Sequence, residues 1–143
     1  MNGEKSYRRE LKKAAIGIIA ILPMMLGIVG LVGIFRAFVS REMLAAVFTG
    51  NVVSDTLAGT VAGMIAVGQA IVSYILGGEL LEQGISLYAV AAFVLSWVTL
   101  GVVQLPLEAE VLGLRFTILR NTLAFVFTIL TAVAAVWSAQ WLQ

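Results

Sequence analysis

The sequence predicts an all-α, polytopic integral membrane protein with about four transmembrane helices and additional re-entrant or interfacial segments. Of its 143 residues, 61% are hydrophobic and 12% are charged, whereas soluble domains are about 45–50% apolar and about 25% charged. A chain of this length cannot bury so much apolar surface inside a water-facing globule. Its apolar residues also form long runs separated by short polar segments. We therefore expect one transmembrane domain, residues 1–143.

Basic residues are concentrated ahead of the first apolar run, because five of the nine lysines and arginines lie in residues 1–13. Such a bias predicts a basic N-terminal segment that lies on the cytoplasmic side of the membrane. The 22 residues of the run, 14–35, rise roughly 33 Å as a helix, enough to cross a bilayer core of about 30 Å. They are too long for a signal-peptide core, so we expect a retained first span, kinked at Pro23.

The second apolar region, residues 36–55, does not read as a full crossing. Its apolar piece Met43–Phe48 is too short to span a bilayer, and Gly50 with Asn51 is a helix-breaking pair. We expect a half-helix that dips into the membrane or lies on it. A fifth crossing is the alternative.

A second long helix is predicted to be capped by Ser54 or Asp55 and to run to about Leu76. Small residues recur along it at a spacing that lets another helix approach closely. They are Ala58, Gly59, Ala62, Gly63, Ala66 and Ala70. The stripe is compatible with packing inside the chain and with self-association, and both readings stay open.

Two further spans follow the polar turn of residues 77–84. The third is predicted over Ile85–Leu105 and the fourth over roughly Asn121–Trp141. Trp137 and Trp141 near the end of the fourth span are typical of an aromatic belt at a membrane surface.

Charges are clustered between these spans, in the segment "LPLEAEVLGLRFTILRN" of residues 105–121. We expect Pro106 to end the third helix, because the residue before a proline is driven out of helical geometry. The segment is too polar to cross alone and too apolar for a free loop. It is either a re-entrant piece buried in protein or an interfacial helix whose charges reach the headgroups. Ionisable residues near membrane depth are candidates for function.

The pathway candidates fall into three groups. Glu108 and Arg120 rank first, as a charged gate or coupling site, followed by Glu110, Arg115 and Asn121 in the same segment. The second group is Asn51 with Asp55, at a broken helix of the kind that transporters use, or simply a capping loop. The third is Gln69 with Ser73, four residues apart on one helix face, which either line a polar pathway or form interhelical hydrogen bonds.

Several functions are disfavoured. The chain has no histidine and no cysteine, a single aspartate, and lysines only in residues 1–13, so metal sites and the common nucleophilic mechanisms lack their residues. We expect no enzyme activity, no catalytic residue, no metal and no cofactor. The net charge of +1 gives no reason to expect nucleic acid as a partner.

From about residue 60 to 125 the sequence resembles a predicted-permease family that includes the organoarsenical efflux permeases. The resemblance rests on "VSY", "LLEQG", "AAF…SW" and, most specifically, "LPLE…LG.RF..LRN". The last pattern is carried by Pro106, Glu108, Gly113, Phe116, Arg120 and Asn121. It implies a multi-spanning transporter of the cytoplasmic membrane. Larger members look like two four-helix units in one chain, so this chain is similar to a single unit, which implies a homodimer.

One departure from the family concerns its substrate. Arsenic-transporting members are associated with cysteines, and this chain has none, so thiolate coordination of trivalent arsenic is not available. The resemblance therefore leaves the small-molecule or ion substrate open.

The predicted function is thus a homodimeric permease of a small solute, with the bilayer and a second copy as its partners. Four packed helices enclose little more than their own side chains, so a pathway is expected near the subunit interface. The alternative is a non-transporting membrane scaffold or accessory subunit of a larger complex.

Overall fold

The structure, a computed structural model, describes residues 3–66 and 68–142, and this part of the chain is helical with no strand. The predicted all-α class is confirmed. The helices are α1 (Gly3–Phe38), α2 (Arg41–Val47), α3 (Val52–Ile65), α4 (Ala70–Glu82), α5 (Leu87–Thr99), α6 (Leu105–Leu112) and α7 (Leu114–Trp141), with a 3₁₀ turn over Val102–Gln104.

The chain divides into two compact units, Met1–Phe38 and Val39–Gln143. The first unit consists of α1, which contains both the predicted span 14–35 and Pro23 in one helix of 36 residues. The basic side chains before Lys12 lie outside the described residues.

The short helix predicted after the first span is α2, and it bends by 113° into α3. The prediction that Ser54 or Asp55 caps the following helix is wrong, because Asn51 does so. The Asn51 side-chain oxygen accepts hydrogen bonds from the backbone N–H groups of Val53 (3.0 Å) and Ser54 (3.3 Å). It thus gives a partner to two of the N–H donors that a helix start leaves unpaired.

The helix expected to continue to Leu76 ends at Ile65, and α4 starts only at Ala70. Trp97 of α5 packs against this break. Its indole N–H donates to the carbonyl oxygen of Gly68 (3.2 Å), and its ring leaves little room for a side chain there. A contact from a distant helix therefore stabilises the interruption.

The closest helix pair in the second unit is α3 with α5, which run parallel. Gly59 lies against the backbone of Ala89, and Gly63 lies four residues further along against the backbone of Phe93. A Cβ atom on either glycine would overlap a carbonyl oxygen of α5. The Gly59 and Gly63 part of the small-residue stripe is thus occupied within the chain.

Because α3 and α5 point the same way, α4 must return between them. It does so along α5, where Gly77 packs against Val90 and Val94. α7 covers α5 in the opposite direction: Tyr88 bonds Gln140 (3.2 Å) near one end, and Thr99 bonds Thr128 (3.0 Å) further along.

The most deeply buried residues between these helices are mainly small or hydroxyl-bearing, and larger ones such as Leu80 and Leu100 complete the core. Ala92 and Ala132 are fully buried, as are Thr60, Ser73 and Ser96. The hydroxyls donate to backbone carbonyls, as Ser96 does to Thr60 (2.6 Å). In the described part of the chain every fully enclosed side-chain polar atom has a partner, as an apolar surrounding requires.

The two later spans differ from their predicted bounds. Pro106 does not end the third helix, since α5 stops at Thr99 and Pro106 lies in the first turn of α6, where a proline needs no backbone N–H. The fourth helix starts at Leu114, seven residues before the predicted start. Residues 105–121 therefore run from α6 through Gly113 into the first turns of α7, and their assignment as a re-entrant piece or an interfacial helix stays a prediction. They are the end of one helical stretch and the start of the next.

Two stretches of the described residues, Leu87–Leu112 and Leu114–Trp141, are long and apolar enough to cross a membrane. The bent pair α2 and α3 would add a third if it forms one span. In α1 the described apolar stretch is Leu26–Phe38, which is shorter. The predicted count of four crossings stays a prediction.

We predict that Gly63→Ala destabilises the protein, because the added methyl group would force α3 and α5 apart. Overpacking of this kind costs on the order of 1–3 kcal/mol. The measurement is the midpoint of thermal unfolding in detergent micelles, followed by tryptophan fluorescence. The matched control is Gly78→Ala in α4, where an added Cβ meets nothing within 4 Å and a helical alanine is favoured. Equal midpoints for the two variants would contradict the packing described.

Candidate functional site

A hairpin of α6 and α7 carries the residues that the sequence placed first. Gly113 joins the two helices with a φ of 87°, a backbone conformation that favours glycine. Its N–H donates to Ala109 of α6 (3.1 Å), and its carbonyl accepts from the N–H of Thr117 in α7 (3.1 Å). The chain reverses at this residue, so side chains of α6 come to face α7.

Glu108 bridges the two legs of this hairpin. Arg120 Nη1 donates to Oε1 at 2.5 Å, and Asn121 Nδ2 donates to Oε2 at 3.0 Å. Both carboxylate oxygens are thus engaged by α7. The Glu108 side chain is 18% exposed and that of Arg120 is 42% exposed, so the ion pair is shielded mainly on the acid's side. The sequence named these three residues, and the structure brings them together.

Glu110 and Arg115 behave differently from the bridging pair. Both are exposed, and among the described residues neither has a hydrogen bond or an ion pair. Both lie within three residues of Gly113. At about 1.5 Å per helical residue they are less than about 5 Å from the turn, whereas Glu108 and Arg120 are about 8–10 Å from it.

Distance from the turn separates the four charges into two classes. If Gly113 lies at a membrane surface, Glu110 and Arg115 are at headgroup level, where charged side chains remain hydrated. Glu108 then lies about 3 Å deeper than Glu110, and Arg120 about 7–8 Å deeper than Arg115, at a depth where an unpaired charge is costly. The deeper charges are the ones that the fold pairs.

Asp55 is the second polar centre, and its role is to connect helix ends. It is 1% exposed. Its Oδ1 accepts from the N–H of Thr49 (2.9 Å) and its Oδ2 from the hydroxyl of Ser86 (3.0 Å). Ser86 in turn caps α5 by accepting from the N–H of Ala89 (3.3 Å). The carboxylate lies beside the N-terminal ends of two parallel helices, whose dipoles favour a negative charge.

The Asn51 and Asp55 pair is therefore divided by the structure. Asn51 caps α3 at the surface, and Asp55 is buried against α5. The sequence did not indicate Ser86 or Thr49 as partners, because they lie 31 residues after and 6 residues before Asp55.

Gln69 and Ser73 do not form a shared polar face. Gln69 precedes the first turn of α4 and is exposed, without a capping hydrogen bond. Ser73 is fully buried and donates to the carbonyl of Ala70 (2.7 Å). Ala70 lies on α4 and Ala66 is the C-cap of α3, so the rest of the stripe on α3 consists of Ala58 and Ala62, of which Ala62 is the more exposed.

A groove of about 550 Å³ lies between the end of α3 and the α6–α7 hairpin. Only Thr117, Asn121 and Thr122 among its ten lining residues are polar. The apolar ones are Met64, Leu105, Pro106, Ala109, Leu114, Ile118 and Phe125. Asn121 thus belongs both to the groove and to the Glu108 cluster. The sequence indicated Asn121, but the groove forms only when α3 and the hairpin come together.

We predict that Glu108 and Arg120 are energetically coupled, whereas Glu110 and Arg115 are not. In a double-mutant cycle of Glu108→Gln and Arg120→Gln, the coupling free energy should be on the order of 1 kcal/mol, because the pair is partly exposed. The matched cycle, Glu110→Gln with Arg115→Gln, should give a coupling close to zero. Unfolding in mixed micelles measures both, and equal couplings would contradict the assignment of the two classes.

Comparison of the chain with family models, with curated proteins and with solved structures finds no match. The similarity of residues 60–125 to the organoarsenical efflux permeases therefore stays a prediction that rests on the residues quoted for it.

Proposed function

We propose that the protein is a membrane permease for a small solute, that it lies in the cytoplasmic membrane with its N-terminus inside, and that it acts as a homodimer. One observation supports this most strongly. A glutamate and an arginine pair across two stretches of membrane-spanning length, Leu87–Leu112 and Leu114–Trp141, beside a groove that shares Asn121 with them. A structural subunit has no evident need for such an arrangement, because replacing an ion pair by apolar residues often costs nothing.

The ion pair is suited to gating because it holds together two helices that are otherwise joined at one residue. Charges at membrane depth favour the paired state strongly over separated ones. Competition by a polar substrate group would remove the attraction and leave Arg120 without its partner. Separation of the two legs would then change the shape of the groove.

A second copy is proposed because the groove opens on the side of a single small unit and does not enclose a pathway. The remaining small residues of α3 offer a contact surface. Ala58 and Ala62 on α3, with Ala66 at its C-cap, recur at the spacing that permits close helix approach in membranes, and the two neighbouring glycines are already used on α5.

We predict that expression of the protein changes the sensitivity of a bacterial host to at least one toxic solute. The panel should contain metalloid oxyanions, organic arsenicals, organic acids and neutral aromatic compounds. For a solute that responds, Glu108→Gln should abolish at least about nine-tenths of the effect, because loss of an interaction worth about 1.4 kcal/mol already changes a rate tenfold. Exchanging the charges in the double variant Glu108→Arg with Arg120→Glu should restore part of it.

The control for this assay is Glu110→Gln, which removes an exposed carboxylate without a partner and should retain the full response. Membrane abundance of each variant is measured in parallel. If no solute responds, or if the two glutamates are equally tolerant, the accessory-subunit function is favoured instead.

We also predict that Ala62→Cys forms a disulfide between two copies in native membranes, because this residue lies at the centre of the proposed interface. The natural chain contains no cysteine, so the added thiol has no competitor. Copper phenanthroline followed by non-reducing electrophoresis detects a dimer. The matched control is Ala134→Cys on the exposed side of α7. A dimer yield no higher for the Ala62 variant than for the control would overturn this interface.

A further inference from the structure

We infer that the groove between α3 and the α6–α7 hairpin binds a neutral, largely apolar molecule that carries a hydrogen-bond donor. This inference rests on the proposed function, because it names the class of solute that the same site would accept. It is carried by three properties of the groove: its charge, its lining and the free amide oxygen of Asn121.

No unpaired charge lines the groove. The nearest ionic groups are Glu108 and Arg120, which neutralise one another, and both oxygens of Glu108 are already used. The unpaired charges of Glu110 and Arg115 are not among the lining residues. An ion entering this space would lose its hydration without gaining a counter-charge, which is strongly unfavourable. The site therefore favours an uncharged occupant.

The lining is that of a site for an organic molecule. Seven of the ten lining residues are apolar, and the volume is about 550 Å³. Ligand pockets are typically about 300–1,000 Å³, mainly apolar, with a few polar groups that orient the ligand. Ring or chain carbons would lie against Met64, Leu105 and Phe125, which come from three different helices.

Asn121 supplies the directional contact. Its amide nitrogen donates to Glu108 Oε2 (3.0 Å) and to the carbonyl of Thr117 (2.9 Å). A carboxylate oxygen and a backbone carbonyl oxygen accept hydrogen bonds and do not donate them. The amide atom that faces both must therefore be the nitrogen, which identifies the other atom as the oxygen. No described residue donates to that oxygen. A hydroxyl or amine hydrogen on the ligand would complete it, whereas a ligand with acceptors alone would not.

The same amide connects the occupant to the proposed gate. The Asn121 amide nitrogen donates to Glu108 on α6 and to the Thr117 carbonyl on α7. A ligand that donates to the oxygen of the same amide therefore contacts the cluster that joins the two legs of the hairpin. A ligand without a donor would fill the groove but lack this connection.

Three probes with one ring system test the inference: 2-naphthol, which is neutral with a donor, 2-methoxynaphthalene, which is neutral without one, and 2-naphthoate, which is an anion. The full chain in nanodiscs is titrated with tritiated 2-naphthol by scintillation proximity. Empty nanodiscs measure partition into lipid, which does not saturate, and the other two probes are used as competitors. We expect saturable binding of 2-naphthol that is about tenfold tighter than binding of either competitor, as one hydrogen bond provides.

Variants assign the binding to the groove. Ala109→Phe fills it and should abolish saturable binding, whereas Ala134→Phe, the same change on exposed α7 surface, should leave it unchanged. Asn121→Leu should reduce the preference for 2-naphthol over its methyl ether to less than about threefold. A fluorescence melting curve of each variant shows that it is folded.

Three results would overturn the inference: tightest binding of 2-naphthoate, equal binding of the ether in the natural chain, or an absence of saturable binding. If binding is absent and Ala109→Phe changes the yield of the Ala62→Cys dimer, a second copy occupies the groove. Because the assay measures binding alone, its failure leaves the effect of Glu108→Gln on solute sensitivity standing. Conversely, 2-naphthol binding without any solute response would reject transport and retain the site.

Discussion

Close backbone contact between α3 and α5 is the constraint on which the rest of residues 39–143 depends. Gly59 and Gly63 leave no space for a side chain, and this allows two short helices to lie parallel in direct contact. Because α3 and α5 run parallel, the chain between them must return in the opposite direction. α4 therefore reverses direction after the break between α3 and α4. The position of α5 also determines where α6 begins, and hence where the α6–α7 hairpin meets the end of α3.

Polar groups secure this arrangement at both ends of the helix pair. At the N-terminal ends, Asp55 accepts from Ser86 and from the backbone of Thr49. At the opposite ends, Trp97 donates to Gly68. In an apolar medium such bonds cannot be exchanged for bonds to water, so a missing partner is costly. The Glu108 cluster follows the same rule with charged groups.

Much of the helical content followed from the sequence, because hydrophobic runs and breaking pairs are local signals. Gly50 with Asn51 marked a real break, and the glycines of α3 marked a real contact.

The interruption between Ile65 and Ala70 was missed because apolar residues lie on both sides of Gly68 and Gln69. Its stabilising partner, Trp97, also lies 29 residues after Gly68. Pro106 carries two local signals, one for ending a helix and one for starting it, and only the position of α5 decides between them. The sequence indicated Glu108 and Arg120 as candidate site residues. Their pairing, 12 residues apart, depends on the reversal of the chain at Gly113.

The one-residue connection at Gly113 also has a consequence for biogenesis. In the permease that we propose, α6 and α7 would enter the bilayer during synthesis, and an isolated arginine or acid at the centre of a helix costs about 2.5–3.5 kcal/mol on insertion scales. Since the connection is so short, Arg120 emerges from the ribosome only 12 residues after Glu108 and can meet it while both are still hydrated. The two helices then partition from the translocon as a single hairpin in which those charges cancel. In that case the ion pair assists membrane insertion of the hairpin before the folded protein carries out its function.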